Sequence, residues 1–258
     1  MMTRRRFLQW LASLGLIGFA TTAYAVVGEP LLRQQVTRYN LKLRHWPADL
    51  HLSIAVISDL HACKPWMDID RIYSIVDQTN ELGADLIVLL GDYVAALRYI
   101  TGTVHLAEWS TALSRLKAPL GVHAILGNHD WWEDRTAQTR GQGPTLIQLA
   151  LESAGIPVYD NNVVRLTKSA RSFWLAGLGD QLAFWPSRRR YPGRRIGVDD
   201  LAATLSKVTN NDPIIPARAR TRYHAKGARP GCAGVERSYP WWAGPALRLV
   251  ARRSIALW

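Results

Sequence analysis

Residues 52–61 have the sequence LSIAVISDLH, in which a short apolar run ends in a polar cluster. The same order returns at residues 86–93, LIVLLGDY, and at residues 122–130, VHAILGNHD. A continuous apolar run of this length, bounded by turn-forming residues, is typical of a strand that is buried on both faces. Such strands occur in parallel sheets covered by helices, so the three stretches predict an α/β fold.

Helical patterns separate these strands. Residues 69–82 place apolar side chains at a spacing near 3.6 and end at Gly83, which predicts a helix. Three further helices are predicted at residues 104–116, 145–154 and 198–208. Short strands are predicted at residues 157–159, 163–166 and 173–178.

Each of the three strands ends in side chains that can bind a metal ion. Asp59 and His61 stand two residues apart, so both can point to the same side of an extended segment. Asp92 follows the second strand, and Asn128 follows the third. Side chains at the carboxyl ends of neighbouring parallel strands converge where α/β proteins bind ligands. These donors are oxygen and nitrogen without a thiolate, which favours Mn, Fe or Zn ions over a structural zinc site.

Three short blocks in the chain resemble the first three signature blocks of the calcineurin-like metallophosphoesterases, namely Asp59-x-His61, Gly91-Asp92 and Gly127-Asn128-His129-Asp130. The resemblance covers about residues 50–215. It implies a four-layer α/β sandwich of two mixed sheets flanked by helices. It also implies two divalent metal ions, with Asp59 and His61 on one ion, Asp92 bridging and Asn128 on the other.

The same resemblance assigns roles beside the metal ions. His129 is expected to contact the phosphate and to protonate the leaving group. Asp130 is expected to cap the following helix or, alternatively, to orient His129, and the cap is favoured. Two cations in such a site lower the pKa of a bridging water and stabilise an in-line displacement. The implied chemistry is hydrolysis of phosphate esters.

The residues after Asp92 differ from part of this family. Protein phosphatases of the family continue with Asp-Arg-Gly, whereas this chain has Ala95 and Ala96, which argues against phosphoprotein substrates. The chain is more similar to bacterial phosphodiesterases related to the UDP-2,3-diacylglucosamine hydrolases, which implies a lipid-linked or nucleotide diester as substrate. Trp131 and Trp132 either wall such a site or pack in an ordinary way beside the loop.

The N-terminus has the order of an export signal. Three arginines at residues 4–6 precede an apolar stretch at residues 11–20, and the small-residue sequence Ala-Tyr-Ala follows at residues 23–25. The arginines before Phe-Leu resemble the twin-arginine export consensus, which implies the twin-arginine machinery as a partner and a periplasmic or other extracytoplasmic location. Residues 7–27 are also long enough for an uncleaved anchor in the cytoplasmic membrane.

The positive charge is concentrated near the C-terminus. The net charge of +12 would suggest an anionic partner. From Pro216 onward, however, the chain has nine of its 32 Lys and Arg and a single acid, Glu236. This segment therefore carries a net charge of +8, which leaves +4 for residues 1–215. The catalytic body is nearly neutral, so no nucleic-acid partner is expected. A basic protein that binds nucleic acid or anionic lipid through this tail is the alternative.

The family resemblance stops near residue 215. The family next supplies a histidine after a strand and then a Gly-His-x-His block, and this chain has neither. Reading the tail codons one base later permits Leu-Leu-Ala-His-Glu-Pro-Asp-Ile from Pro216 and Ser-Gly-His-Thr-His-Gly-Gly-Gln-Val from Glu236. Both missing blocks return in family order, which indicates a single-base insertion near the codons of Ile215 and Pro216.

The sequence therefore predicts four segments: a twin-arginine signal or anchor at 1–27, a connector at 28–49, an incomplete metallophosphoesterase domain at 50–215 and an aberrant, disordered basic tail at 216–258. Loss of the C-terminal strands exposes a sheet edge, and loss of ligands weakens metal binding. We expect impaired activity, or a catalytically dead family member that keeps one metal for structure.

Overall fold

The computed structural model describes residues 3–24, 34–40, 46–94, 100–185, 196–219, 235–236 and 247–250. The chain forms two compact units, Met1–Gln35 and Val36–Trp258.

The first unit contains helix α1 (Arg4–Ala23), which begins after Thr3. The Thr3 hydroxyl accepts a hydrogen bond from the Arg6 amide and so caps the helix. Within the described residues, no helix is both long enough and apolar enough to cross a bilayer. Residues 25–33 and 41–45, which include the end of the predicted signal and much of the connector, lie outside the described residues.

The second unit contains the other helices and the strands of the described residues. Its helices are α2 (Ile69–Glu81), α3 (Leu106–Leu113), α4 (Asn128–Trp132), α5 (Arg135–Arg140), α6 (Leu146–Ser153) and α7 (Leu201–Ser206). Its strands are β1 (Val36–Tyr39), β2 (Ile54–Ile57), β3 (Cys63–Lys64), β4 (Leu86–Leu89), β5 (Gly102–Thr103), β6 (Val122–Ala124), β7 (Asn162–Lys168), β8 (Arg171–Gly177), β9 (Ile214–Arg218), β10 (Val235–Glu236) and β11 (Leu247–Val250).

Two mixed sheets form the framework of this unit. The larger sheet has the order β1-β11-β2-β4-β6, and the smaller has the order β10-β9-β8-β7. Strands β2, β4 and β6 are parallel, as their apolar runs predict. Strands β7 and β8 cover the strands predicted at residues 163–166 and 173–178 and pair antiparallel, and β9 lies parallel to β8. The architecture agrees with the α/β sandwich that the family resemblance implies.

The larger sheet is buried on both faces, because alternate residues of β2 and β4 belong to different apolar clusters. One cluster includes Ala55 and Ile57 with side chains of α2, α3 and α6. The other includes Ile54 and Val56 with side chains of β8 and β9 from the smaller sheet. The three strands that carry the predicted ligands are therefore fixed between a helical layer and the second sheet.

The structure also contains strands within the segment 216–258, for which the sequence predicts disorder. Strand β9 continues past Pro216 to Arg218, with Ile215 and Ala217 buried. Strand β11 lies between β1 and β2, antiparallel to β2. Backbone groups at a sheet edge require hydrogen-bond partners, and β11 provides them for β2. His224 and residues 220–234, 237–246 and 251–258 lie outside the described residues.

Candidate functional site

The loops after β2 and β4 run side by side and bring their polar residues together. The Asp59 amide donates to the Gly91 carbonyl at 3.1 Å, and the His61 amide donates to the Asp92 carbonyl at 2.9 Å. These two hydrogen bonds extend the pairing of the parallel strands past their carboxyl ends. Asp59, His61 and Asp92 therefore share one edge of the sheet, as the sequence predicts.

Three side chains form a compact group of possible metal donors. One ligand atom from each of His61, Asp92 and His129 lies within 4.8 Å of the other two. The Nε2 atom of His61 is 3.9 Å from Oδ2 of Asp92 and 3.7 Å from Oδ1 of Asp59. Ligands bound to one transition ion at about 2.0–2.2 Å lie about 3–3.5 Å apart, so these donors fit an ion after small side-chain shifts.

The backbone is strained at three of the predicted ligands. Asp59, His61 and Asp92 have φ values of +56°, +45° and +58°. A positive φ is uncommon outside glycine and costs about 1–3 kcal/mol per residue, so it persists where the surrounding structure enforces it. Backbone strain of this kind is concentrated at functional sites, and here it falls on three of the predicted ligands.

The orientation of His61 leaves one ring nitrogen for a ligand. Its Nδ1 atom lies 3.0 Å from the Val94 carbonyl, which requires a proton on Nδ1. Nε2, which faces the carboxylates, is then the ring nitrogen that can bind a metal ion, and when protonated it donates to Asp59 instead. Burial lowers the pKa of His61, but hydrogen bonding to Asp59 and the charge of Asp92 outweigh it, so the pKa is raised overall.

Asp92 and the start of α4 are joined by a hydrogen bond. The His129 amide donates to Oδ1 of Asp92 at 3.0 Å, while Oδ2 faces His61. Asp92 is only 2% exposed, so this carboxylate is held in a low-dielectric position. Asn128 is the first residue of α4 and is also buried. Metal ligation by Asn128 stays a prediction.

Two glycines allow the loops after β4 and β6 to approach each other. A Cβ atom on Gly91 would lie 2.1 Å from the Gly127 nitrogen. A Cβ atom on Gly127 would lie 2.1 Å from Oδ1 of Asp92. Any side chain at either position would push the two loops apart, which explains why glycine precedes Asp92 and Asn128.

Asp130 connects both loops to the helix that carries His129. Its carboxylate accepts hydrogen bonds of 2.8 Å from the amides of Asp92, Tyr93 and Gly127. Asp130 is the third residue of α4, and its bond from the Gly127 amide caps the start of this same helix, whereas the other two bonds fix the Asp92 loop and have no counterpart in the predicted roles. Burial, reinforced by the charge of Asp92, raises the pKa of Asp130 to about 7. Cations beside Asp92 would favour the ionised form.

The two tryptophans after Asp130 have different surroundings. Trp131 is buried in the core and contacts Phe184, so packing accounts for it. The Trp132 ring contacts the His129 ring at a centroid distance of 5.0 Å and the Trp185 ring at 4.4 Å. His129 also meets His61 edge to face at 4.9 Å. Trp132 therefore adjoins the donor group, and Trp185 was missed in the sequence because no motif marks it.

The other described histidines take part in different contacts. His105 caps α3, and His51 is exposed. His123 lies 3.1 Å from the Tyr159 hydroxyl and 2.8 Å from the Leu120 carbonyl. Among the described residues, the only group that meets the criteria for a metal site is His61, Asp92 and His129. The described residues offer enough donors for one ion, with Asp59 and Asn128 as further candidates.

Comparison with known families gives one match over most of the second unit. The family described as calcineurin-like phosphoesterase matches residues 52–213, which is more than half of the chain. This range contains all six predicted site residues and both glycines of the close approach.

Three curated relatives are similar to this chain. The uncharacterized metallophosphoesterase YkoQ of Bacillus subtilis is 29% identical over 134 residues, covering 52% of this chain and 45% of the relative. A protein of Caenorhabditis elegans named as a metallophosphoesterase is 26% identical over 200 residues, covering 77% and 37%. The UDP-2,3-diacylglucosamine pyrophosphatase LpxG of Chlamydia muridarum is 29% identical over 127 residues, covering 45% and 37%. The chain spans less than half the length of each relative.

Proposed function

Because the chain belongs to the calcineurin-like phosphoesterase family, we propose that it hydrolyses phosphate esters with the help of divalent metal ions at the donor group beyond β2 and β4. The observation that carries the proposal is the group of His61, Asp92 and His129, whose ligand atoms lie within 4.8 Å of one another. These residues come from three separate segments of the chain. His61 and Asp92 have positive φ values, which cost conformational free energy. That cost supports a functional reason for bringing these residues together.

The proposed ligands are Asp59 and His61 for one ion, Asp92 as a bridge and Asn128 for a second ion. Bound there, Mn, Fe or Zn ions would lower the pKa of water and stabilise charge on the phosphoryl oxygens. His61 presents Nε2 because Val94 fixes the proton on Nδ1. The buried carboxylate of Asp92 supplies the negative charge that draws cations to the site.

His129 is proposed to contact the phosphate and to donate a proton to the leaving group. Its amide is fixed on Asp92, and its ring lies between the rings of His61 and Trp132. These contacts hold the imidazole beside His61 and Asp92. A ring nitrogen of His129 would then transfer the proton. A general acid must lie within hydrogen-bond reach of the group that it protonates, and this position allows that.

The proposed substrate is a phosphodiester or a pyrophosphate-linked compound, either lipid-linked or a nucleotide. LpxG, a relative with 29% identity, is named for UDP-2,3-diacylglucosamine, which combines both features. This chain has Ala95 and Ala96 where the protein phosphatases of the family continue with Asp-Arg-Gly, so phosphoproteins are not proposed.

The proposed location is outside the cytoplasm, after export by the twin-arginine machinery or with α1 attached to the cytoplasmic membrane. The three arginines at the start of α1 support export. Replacing Arg4, Arg5 and Arg6 by lysine keeps the charge and should abolish export, measured by fractionation of cells that produce the full chain. Unchanged export of the triple variant would contradict the twin-arginine route.

We expect the activity of this chain to be weak, because the family's later histidine blocks have no counterpart in its sequence. A member that keeps one ion for structure and has no activity is the second candidate, favoured by the single donor group among the described residues. The number of metal ions per chain, measured by mass spectrometry of the purified protein, separates one ion from two.

The test of the proposal combines metal binding with hydrolysis. Mn²⁺ titration by calorimetry should show binding that falls by at least about 10-fold in His61→Ala, because a direct ligand is lost. Exposed His51 provides the control, and His51→Ala should bind like the parent chain. Hydrolysis of bis(p-nitrophenyl) phosphate should be slow, should stop with a chelator and should be lost in His61→Ala. Equal Mn²⁺ binding by both variants would refute the metal site.

A further inference from the structure

Three aromatic rings follow one another outward from the donor group. The Trp132 ring meets His129 at 60° and a centroid distance of 5.0 Å. The Trp185 ring is tilted by 35° to the Trp132 ring at a centroid distance of 4.4 Å. Trp185 is therefore connected to the proposed proton donor, His129, through Trp132.

Hydrogen bonds hold Trp132 and Trp185 in place. Trp132 Nε1 donates to the Leu182 carbonyl at 2.7 Å. The Gln138 side chain accepts from the Trp185 amide at 3.1 Å and donates to the carbonyls of Trp131 and Ala183 at 2.9 and 2.7 Å. Gln138 thus joins the Trp185 backbone to the helix pair α4 and α5. The position of Trp185 is set by the backbone, so the ring need not pack in a core to stay in place.

Exposure distinguishes Trp185 from a core tryptophan. Trp185 is 45% exposed, whereas the core residue Trp131 is 1% exposed. A large aromatic ring that remains this exposed loses part of the free energy that burial would give. A ring that is 45% exposed and contacts Trp132, the neighbour of His129, can also contact a ligand bound beside His129.

We propose that Trp132 and Trp185 form a stacking subsite for a planar ring carried by the esterified group of the substrate. The proposal rests on the proposed function, because the phosphate must sit beside His129 for the attached group to reach Trp185. A nucleobase or an aryl group has two flat faces and suits this surface. The subsite would select esters with a planar ring over small alkyl esters, and it acts on binding without touching the reacting atoms.

The expected size of the effect follows from stacking in other proteins. Alanine substitution of a tryptophan that stacks on a base commonly weakens binding by about 5- to 150-fold, and partial exposure of Trp185 places the expectation near 10-fold. Trp185→Phe keeps a ring and should recover most of the affinity. Leu149→Ala is the matched control, since Leu149 is 46% exposed and lies on α6.

The experiment measures binding of three phosphonates to the full chain with Mn²⁺ present, by calorimetry. Phenylphosphonate has a planar ring, cyclohexylphosphonate has an apolar ring that is not planar, and methylphosphonate has neither. The parent chain should bind phenylphosphonate about 10-fold more tightly than the other two. Trp185→Ala should remove this preference without changing methylphosphonate binding, while Leu149→Ala should preserve it.

The outcomes separate the subsite from the proposed function. If methylphosphonate does not bind to the parent chain in a Mn²⁺-dependent way, the phosphate site itself is absent and the proposed function fails. If methylphosphonate binds and Trp185→Ala keeps the phenyl preference, the stacking subsite is refuted. Equal binding of the phenyl and cyclohexyl compounds would also refute it. Thermal unfolding of both Trp185 variants confirms that they are folded.

Discussion

Asp130→Asn should damage the metal site through a residue that is not proposed to touch the metal. In the parent chain one carboxylate oxygen accepts from the amides of Asp92 and Gly127, and the other accepts from Tyr93, each at 2.8 Å. The asparagine oxygen can serve the first two amides. Its NH₂ group must then face the Tyr93 amide, so two donors oppose each other in a fully buried position.

The magnitude follows from these three hydrogen bonds. Losing one bond to a charged acceptor costs about 1.5–3 kcal/mol, and a buried donor without a partner costs about 1–3 kcal/mol. We expect a loss of about 3–5 kcal/mol in the free energy of unfolding, measured by urea denaturation at pH 8 with saturating Mn²⁺. Displacement of the Asp92 loop should also weaken Mn²⁺ binding by about 10- to 100-fold, measured by calorimetry.

Asp134→Asn is the matched control for this prediction. Asp134 is also buried, and its carboxylate accepts from the amides of Ala137 and Leu146 at 2.9 and 2.8 Å. Its substitution should lower stability while leaving Mn²⁺ affinity unchanged. If Asp130→Asn bound Mn²⁺ like the parent chain, or if Asp134→Asn lost as much affinity, Asp130 would have no specific part in holding the site.

Three further predictions concern the loops, the pH and the tail. Gly127→Ala should displace Asp92 and lower Mn²⁺ affinity by more than about 10-fold. Gly102→Ala is the control, because a Cβ atom there would lie 3.8 Å from its nearest neighbour, and it should bind Mn²⁺ like the parent chain. Equal affinities of the two variants would contradict the close approach of the loops. Burial raises the pKa of Asp160 to about 6, against a small opposing effect of Lys207, so the folded state holds that proton more tightly than the unfolded state. The free energy of unfolding should therefore fall by about 1–3 kcal/mol as pH rises from 4 to 6.5, and urea denaturation of Asp160→Asn should lack that part of the fall. Nucleotide sequencing should find tail codons that are compatible with the histidine blocks one base later, and codons that are incompatible would exclude an insertion near Pro216.

Much of the site could be predicted because its residues follow strands with unambiguous patterns. The apolar runs at β2 and β4 are buried on both faces, and only a parallel sheet covered on both sides accommodates them. Once the strands are parallel, the positions of Asp59, His61 and Asp92 at one edge follow from topology alone. The close approach at Gly91 and Gly127 was reflected in the sequence only as a glycine before each polar residue.

Contacts between segments distant in sequence could not be predicted. The hydrogen bonds of Asp130 to Asp92 and Tyr93 span 38 and 37 residues, and no local pattern encodes them. Trp185 lies in an ordinary loop, and its ring contact with Trp132 depends on the hydrogen bonds of Gln138, which connect segments distant in sequence. Helix ends were also less certain, since the helix predicted over residues 198–208 is α7 (Leu201–Ser206).

Disorder of residues 216–258 stays a prediction, because most of these residues lie outside the described part of the chain. The composition after Pro216 predicts disorder because it lacks periodicity, yet β9 continues to Arg218 and β11 pairs with β2. A sheet edge with unpaired backbone groups recruits a strand through the main chain, which composition does not report.

A crystal structure of the full chain with Mn²⁺, with anomalous scattering recorded at the manganese edge, tests the proposed metal site most directly. We predict an anomalous peak about 2.0–2.3 Å from His61 Nε2 and from a carboxylate oxygen of Asp92, with Asp59 or Asn128 completing the coordination. A chain that binds Mn²⁺ elsewhere, or that shows no peak beside His61 and Asp92 at saturating Mn²⁺, would contradict it.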